Sequence, residues 1–170
     1  SAHLFQPRAA YRFREITRPA TTYDDPTTGE NPEYGASISY WLKAPAASPP
    51  TLTISDATGR VVRTLRGPNQ PGINRVQWNL EDEPSSEVRL LTSPMYAPHI
   101  AVGPEGRSAQ GVSRLSILQP PGTYTVKLTV GGVEESRALQ VRKDPHSGGS
   151  ESEIAAQVAF LGAVREDLEA

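Results

Sequence analysis

The residue types that could carry acid–base or cation chemistry fall in two acidic groups: Asp24, Asp25 and Glu30, and Glu81, Asp82 and Glu83. Glycoside cleavage needs two carboxyls about 5–9 Å apart on rigid elements around a sugar-sized cleft. Both groups lie in proline-broken stretches, where solvated turn residues are the ordinary outcome. Calcium would need oxygen ligands at ordered alternate positions of one loop, and neither group has that spacing. His3, His99 and His146 are far apart in sequence, and nothing in their spacing suggests convergence on a metal. The absence of cysteine removes disulfides, thiolate metal sites and cysteine nucleophiles, and fits either redox compartment. No Gly-x-Ser-x-Gly elbow and no Gly-x-x-x-x-Gly-Lys phosphate loop occurs. The residues therefore nominate no catalytic, metal or cofactor site.

Aromatic side chains offer the better candidates, because they bring a large apolar area with few rotors to freeze. Trp78 alternates with Val76 and Leu80 and is expected to bury in a core. Trp41 stands out of phase with Ile38, Tyr40 and Leu42, so it should point outward between Ser39 and Lys43. Tyr34, Trp41 and Tyr96 are the candidate interaction surface, suited either to stacking on sugar faces or to anchoring a protein contact. Glycan is therefore a second class of partner beside protein.

The elements that would position them read as short strands. Residues 36–43 alternate with Ile38, Tyr40 and Leu42 on one face. Residues 51–65 form two alternating runs around Asp56-Ala57-Thr58-Gly59, a hairpin in which Asp56 and Gly59 supply the turn chemistry. Residues 72–80 follow Pro71-Gly72, with Asn74 and Trp78 as structural residues. A strand is expected over 112–118. Another follows Pro121-Gly122, with Tyr124, Val126, Leu128 and Val130 on one face. Gly131-Gly132 then turns the chain into 133–143. Gly122 marks a strand start, and Tyr124 suits a packing role like that of a tyrosine corner. The count is about seven strands. With 36% hydrophobic residues, 16 Pro and 14 Gly, regular structure must be short and often interrupted. This favours a mainly β, antiparallel sandwich of the immunoglobulin or fibronectin-III type over helical bundles and doubly wound sheets.

Flanking this domain, expected over 34–146, residues 1–33 read as an extended N-terminal arm broken by four prolines and laid across a larger surface, with room for one short strand near Tyr11–Ile16. Residues 81–111 read as an irregular insertion, whose apolar residues Val88, Leu90, Leu91, Met95 and Tyr96 could cap one end of the core. Residues 150–170 read as a helix. Ser150 and Glu153 form its capping box, and Ile154, Val158, Leu161, Val164 and Leu168 make one apolar face. Such a helix must pack back on the domain, pair with another copy, or belong to a larger helical element cut short. The last is the favoured expectation, in keeping with a chain that starts abruptly at Ser1-Ala2-His3. The net charge of −2 and the absence of a basic stripe speak against nucleic acid. No run reaches the roughly 18 apolar residues that cross a bilayer, and no signal peptide is visible.

Several of these segments, in this order, resemble the C-terminal part of large bacterial proteins with sortilin-like (VPS10-type) BNR-repeat β-propellers, often labelled glycosyl hydrolases. They are 31–42, 52–65, 72–80, 121–128 and the closing Val141-Arg142-Lys143-Asp144-Pro145. That part is similar in turn to the immunoglobulin-like domain of flagellar hook-capping proteins, in the Asp56-x-x-Gly59-x-x-Val62-Arg63 hairpin and the Asn74-x-Val76-x-Trp78 strand. The resemblance covers about residues 30–145. It implies a non-catalytic accessory domain that docks on its own propeller or another protein surface, in a periplasmic or secreted bacterial protein. Any glycosidase chemistry would belong to the propeller, of which no repeat occurs here. One departure stands out: the strand motif usually closes with Trp-Asp, whereas here it is Trp78-Asn79.

Overall fold

The computed structural model describes residues 1–13, 32–109 and 114–170. These form ten strands and one helix: β1 Ala2–Leu4, β2 Ala10–Arg12, β3 Ala36–Leu42, β4 Thr51–Ser55, β5 Val61–Arg66, β6 Gly72–Trp78, β7 Arg89–Leu90, β8 Arg107–Ser108, β9 Gly122–Val130, β10 Val133–Lys143 and α1 Glu151–Glu169. The chain is mainly β. One sheet has the order β1-β3-β6 and a second β2-β10-β9-β4-β5, with β7 and β8 forming a small hairpin apart.

The period-2 pattern explains the core. Ile38, Tyr40 and Leu42 of β3, Leu52 and Ile54 of β4, and Tyr124, Val126, Leu128 and Val130 of β9 all point inward. They join Leu4, Trp78, Leu139 and Val141 in one cluster drawn from both large sheets. An aromatic such as Trp78 buries about 150–250 Å², which at about 25 cal/mol per Å² contributes roughly 4–6 kcal/mol.

The turns use the expected residues. Asp56 Oδ1 accepts hydrogen bonds from the Thr58 and Arg60 amides at 2.9 and 3.1 Å. Gly59 adopts φ 87°. Burial alone would raise the Asp56 carboxyl, but the hydrogen bonds from Thr58 and Arg60 hold it below its ordinary value. Gly131 and Gly132 both take positive φ, as a tight two-residue hairpin turn between β9 and β10 requires. Asn74 is buried, and its Nδ2 donates to the carbonyls of Gln70 and Gly72 while its Oδ1 accepts from the Gln70 amide. The asparagine thus closes the turn that leads into β6. Tyr124 donates its hydroxyl to Pro120 O at 2.7 Å and packs edge-on against Trp78. Gly122 has an ordinary φ and open space where a Cβ would stand, so nothing in its surroundings demands glycine.

Three expectations change. Residues 1–13 are extended, yet they are woven into the domain. β1 pairs antiparallel with β3, and β2 pairs parallel with β10. The segment between them crosses from one sheet to the other, with Leu4, Pro7 and Ala10 buried. Secondly, the described part of the strand expected over 112–118 runs beside residues 80–85 without forming a regular strand. It is joined to them by the bridge of Glu81 to Leu118 and by the Asp82 and Ser85 amides donating to Ile117 O and Leu115 O. The reason is chemical: Asp82 Oδ1 and Ser85 Oγ take the amides of Ile117 and Leu115 that a neighbouring backbone would otherwise bond. Thirdly, α1 docks on its own domain. Its capping box forms as read. Ile154 is buried, and Val158, Leu161 and Val164 are half-buried. Arg165 Nη1 lies 2.6 Å from the buried carboxylate of Asp82. No helix among the described residues is long and apolar enough to cross a membrane.

Candidate functional site

A cleft of about 560 Å³ opens where five segments converge: the end of β2, Tyr34 before β3, the turn after β6, residues 116–118 and α1. Arg12, the last residue of β2, is half-buried there. It donates from Nε to Gln119 O at 2.9 Å, and from Nη2 to Leu118 O at 3.5 Å and Gln157 Oε1 at 3.4 Å. None of the ion pairs among the described residues includes Arg12. Burial works against its charge, opposed by Tyr34 and Tyr124. Beside it, Phe13 and Tyr34 meet edge-on with ring centroids 4.6 Å apart, and the Phe13 amide donates to the Tyr34 hydroxyl. Leu118 and Leu161 add aliphatic surface, and Ser116 and Gln157 add polar groups.

The other wall is built by β6 and its end. Leu80 is fully buried with φ 62°, a left-handed conformation uncommon outside glycine, asparagine and aspartate. The chain turns there so that Glu81 O accepts the Trp78 indole N–H at 2.7 Å. Asn79 and Glu81 then pair side by side, Asn79 Nδ2 donating to Glu81 Oε2 at 2.8 Å and Asn79 Oδ1 accepting from the Glu81 amide at 3.2 Å. This accounts for asparagine where the resembling motif carries aspartate. An aspartate could accept the amide but would repel the Glu81 carboxylate.

The acids read from the sequence therefore part company. Glu81 lines the cleft. Asp82 is buried beneath Arg165. Glu83 accepts the Thr64 amide and donates its own to Val62 O, blocking the free edge of β5. Asp24, Asp25 and Glu30 lie outside the described residues. His3 pairs with Glu135, whereas His99 and His146 are exposed. Among the described residues no group of three His, Cys, Asp or Glu is placed to hold a metal ion.

The three aromatic candidates are not brought together. Tyr34 lines the cleft. Trp41 points outward and is half-buried, in register with His3 and Ile73 on the outer face of the smaller sheet. Tyr96 stands 94% exposed on the excursion between β7 and β8. There the expected cap over the core is not made: Leu91 and Met95 are 74% and 83% exposed. The excursion is nonetheless braced. Arg89 Nε donates to Glu105 O, Arg107 Nε to Thr92 O, and Ser93 Oγ to Ile100 O.

Arg12 and Gln157 were not singled out from sequence. Tyr34, Glu81 and the Trp78-Asn79 departure were each named, but nothing local joined them, because the lining residues belong to segments up to 145 positions apart. No protein-family model, curated protein or solved structure matches the chain.

Proposed function

We propose that this chain is a non-catalytic accessory domain that works by docking to another protein surface, of the kind that follows sortilin-like propellers in bacterial extracytoplasmic proteins. An immunoglobulin-like or fibronectin-III-like sandwich is the fold this reading assigns. Supporting it, β1 and β2 act as one first strand split between sheets, which leaves β3 and β6 facing β10, β9, β4 and β5. The Tyr124-to-Pro120 hydrogen bond has the form of a tyrosine corner. The observation that carries the functional reading is the excursion between β7 and β8. It presents Leu91, Met95, Tyr96 and Ile100 to solvent on a hydrogen-bonded frame. Large apolar side chains clustered at the surface mark interaction sites, and rigid framing lowers the entropy cost of association. The test is titration of the domain against the propeller of the same protein. Met95→Ser with Tyr96→Ser should weaken binding at least tenfold while stability changes by no more than about 0.5 kcal/mol. Unchanged affinity refutes the docking role.

A second reading, glycan binding, is favoured by the cleft. An aromatic and aliphatic wall faces amide, hydroxyl and charged groups, the mixture that suits a sugar's apolar ring face and hydroxyl rim.

A further inference from the structure

Arg12 uses three of its five N–H groups, on Gln119 O, Leu118 O and Gln157 Oε1. The two on Nη1 have no partner among the described residues, and Nη1 is not among the buried unpartnered atoms. Nη1 is therefore not sealed in the interior, and it belongs to a residue that lines the cleft. A guanidinium held among neutral carbonyls, half out of water, gains most from a carboxylate, which can accept from it in a charge-assisted hydrogen bond. Glu81 also lines the cleft, committed through Oε2 to Asn79, and keeps Oε1 as an acceptor for a hydroxyl. The cleft thus combines a cationic group, a hydroxyl-accepting carboxylate oxygen and the Phe13–Tyr34 ring pair. Its volume falls within the roughly 300–1,000 Å³ of small-molecule sites.

We infer that the cleft binds an acidic saccharide, with a uronate carboxylate on Arg12 Nη1 and ring hydroxyls on Glu81, Asn79, Ser116 and Gln157. This rests on the glycan-binding reading and names its ligand class. Aromatic rings with amide and hydroxyl groups favour a sugar over an acidic peptide, whose backbone would ask for a row of main-chain partners that these side chains do not supply.

The test is calorimetric titration of the whole chain with trigalacturonate, its neutral methyl ester, and triglutamate. Trigalacturonate should bind at least tenfold more tightly than the other two. Arg12→Gln should cost about tenfold, and Ser116→Trp, which adds bulk at a lining residue that is not a hydrogen-bond partner of Arg12, should abolish binding. Because Arg12 also contacts α1, circular dichroism checks that the helix persists in Arg12→Gln. If it does not, the ester comparison and Ser116→Trp decide. Equal binding of acid and ester overturns the acidic selection while leaving glycan binding standing. Binding of neither saccharide overturns both. Tighter binding of triglutamate, or full retention in Ser116→Trp, overturns the inference as well.

Discussion

Replacing Asp82 by alanine and Arg165 by methionine, singly and together, measures what holds α1 on the domain and hence what closes one side of the cleft. Arg165 Nη1 lies 2.6 Å from Asp82 Oδ2, with side chains 20% and 5% exposed. At that distance Coulomb attraction is about 1.6 kcal/mol in a water-like dielectric and roughly 6 kcal/mol at an effective dielectric near 20. Desolvation offsets much of it, leaving a net coupling of about 2 kcal/mol. Asp82→Ala also orphans the Ile117 amide, which Asp82 Oδ1 accepts at 2.8 Å. That adds about 1–3 kcal/mol, for a total near 4. Arg165→Met leaves the buried carboxylate its Ile117 bond and should cost about 2 kcal/mol. The double variant should cost about 4 rather than about 6 kcal/mol, the shortfall being the coupling. Urea unfolding supplies the energies, and thermal melts should place Asp82→Ala about 8–16 °C lower. Amide exchange should show α1 losing protection first in Arg165→Met. A coupling below about 0.5 kcal/mol, or α1 amides as protected as before, would refute the claim that this pair docks the helix.

Gly35 and Gly59 both take positive φ, yet alanine should affect them unequally. At Gly35 a Cβ would stand 2.0 Å from Trp78 O, whereas at Gly59 nothing lies within 4 Å. Thermal melts should show Gly35→Ala costing at least about 3 kcal/mol and Gly59→Ala about 1 kcal/mol. Burial pushes Tyr40 up to about 12, and burial with the nearby Asp56 charge does the same for Tyr124. Their folded values lie above the unfolded value near 10, so the stability they contribute is full below about pH 10 and is lost as pH rises through 12. Absorbance at 295 nm should show two of the six tyrosines ionising together with alkaline unfolding. Glu135 is held below its ordinary value by the Leu4 amide first, which outweighs the opposing effect of desolvation, with His3 and Arg137 adding to the lowering. A depressed carboxyl stabilises above its unfolded value and stops doing so as pH falls through its folded one. The Leu4 amide resonance should therefore move only once pH falls below the ordinary glutamate range in the parent chain, and stay put in Glu135→Gln.

The sequence alone determined the strands whose signals are local. The alternation of Ile38, Tyr40 and Leu42, the Asp56–Gly59 turn, the double glycine before β10 and the Ser150–Glu153 box each specify their own geometry within a few residues, because pleat, positive φ and capping are short-range constraints. Tertiary structure decided the rest. Leu4 and Ala10 carry no pattern that says they belong to two different sheets. The segment over 114–118 lost its regular strand form to side chains of Asp82 and Ser85, some thirty residues away. The cleft had no local signature, since Arg12, Glu81 and Gln157 become neighbours only when β2 joins β10 and Arg165 reaches Asp82. Such convergence depends on packing energies summed over the whole chain, and no short window of residues contains them.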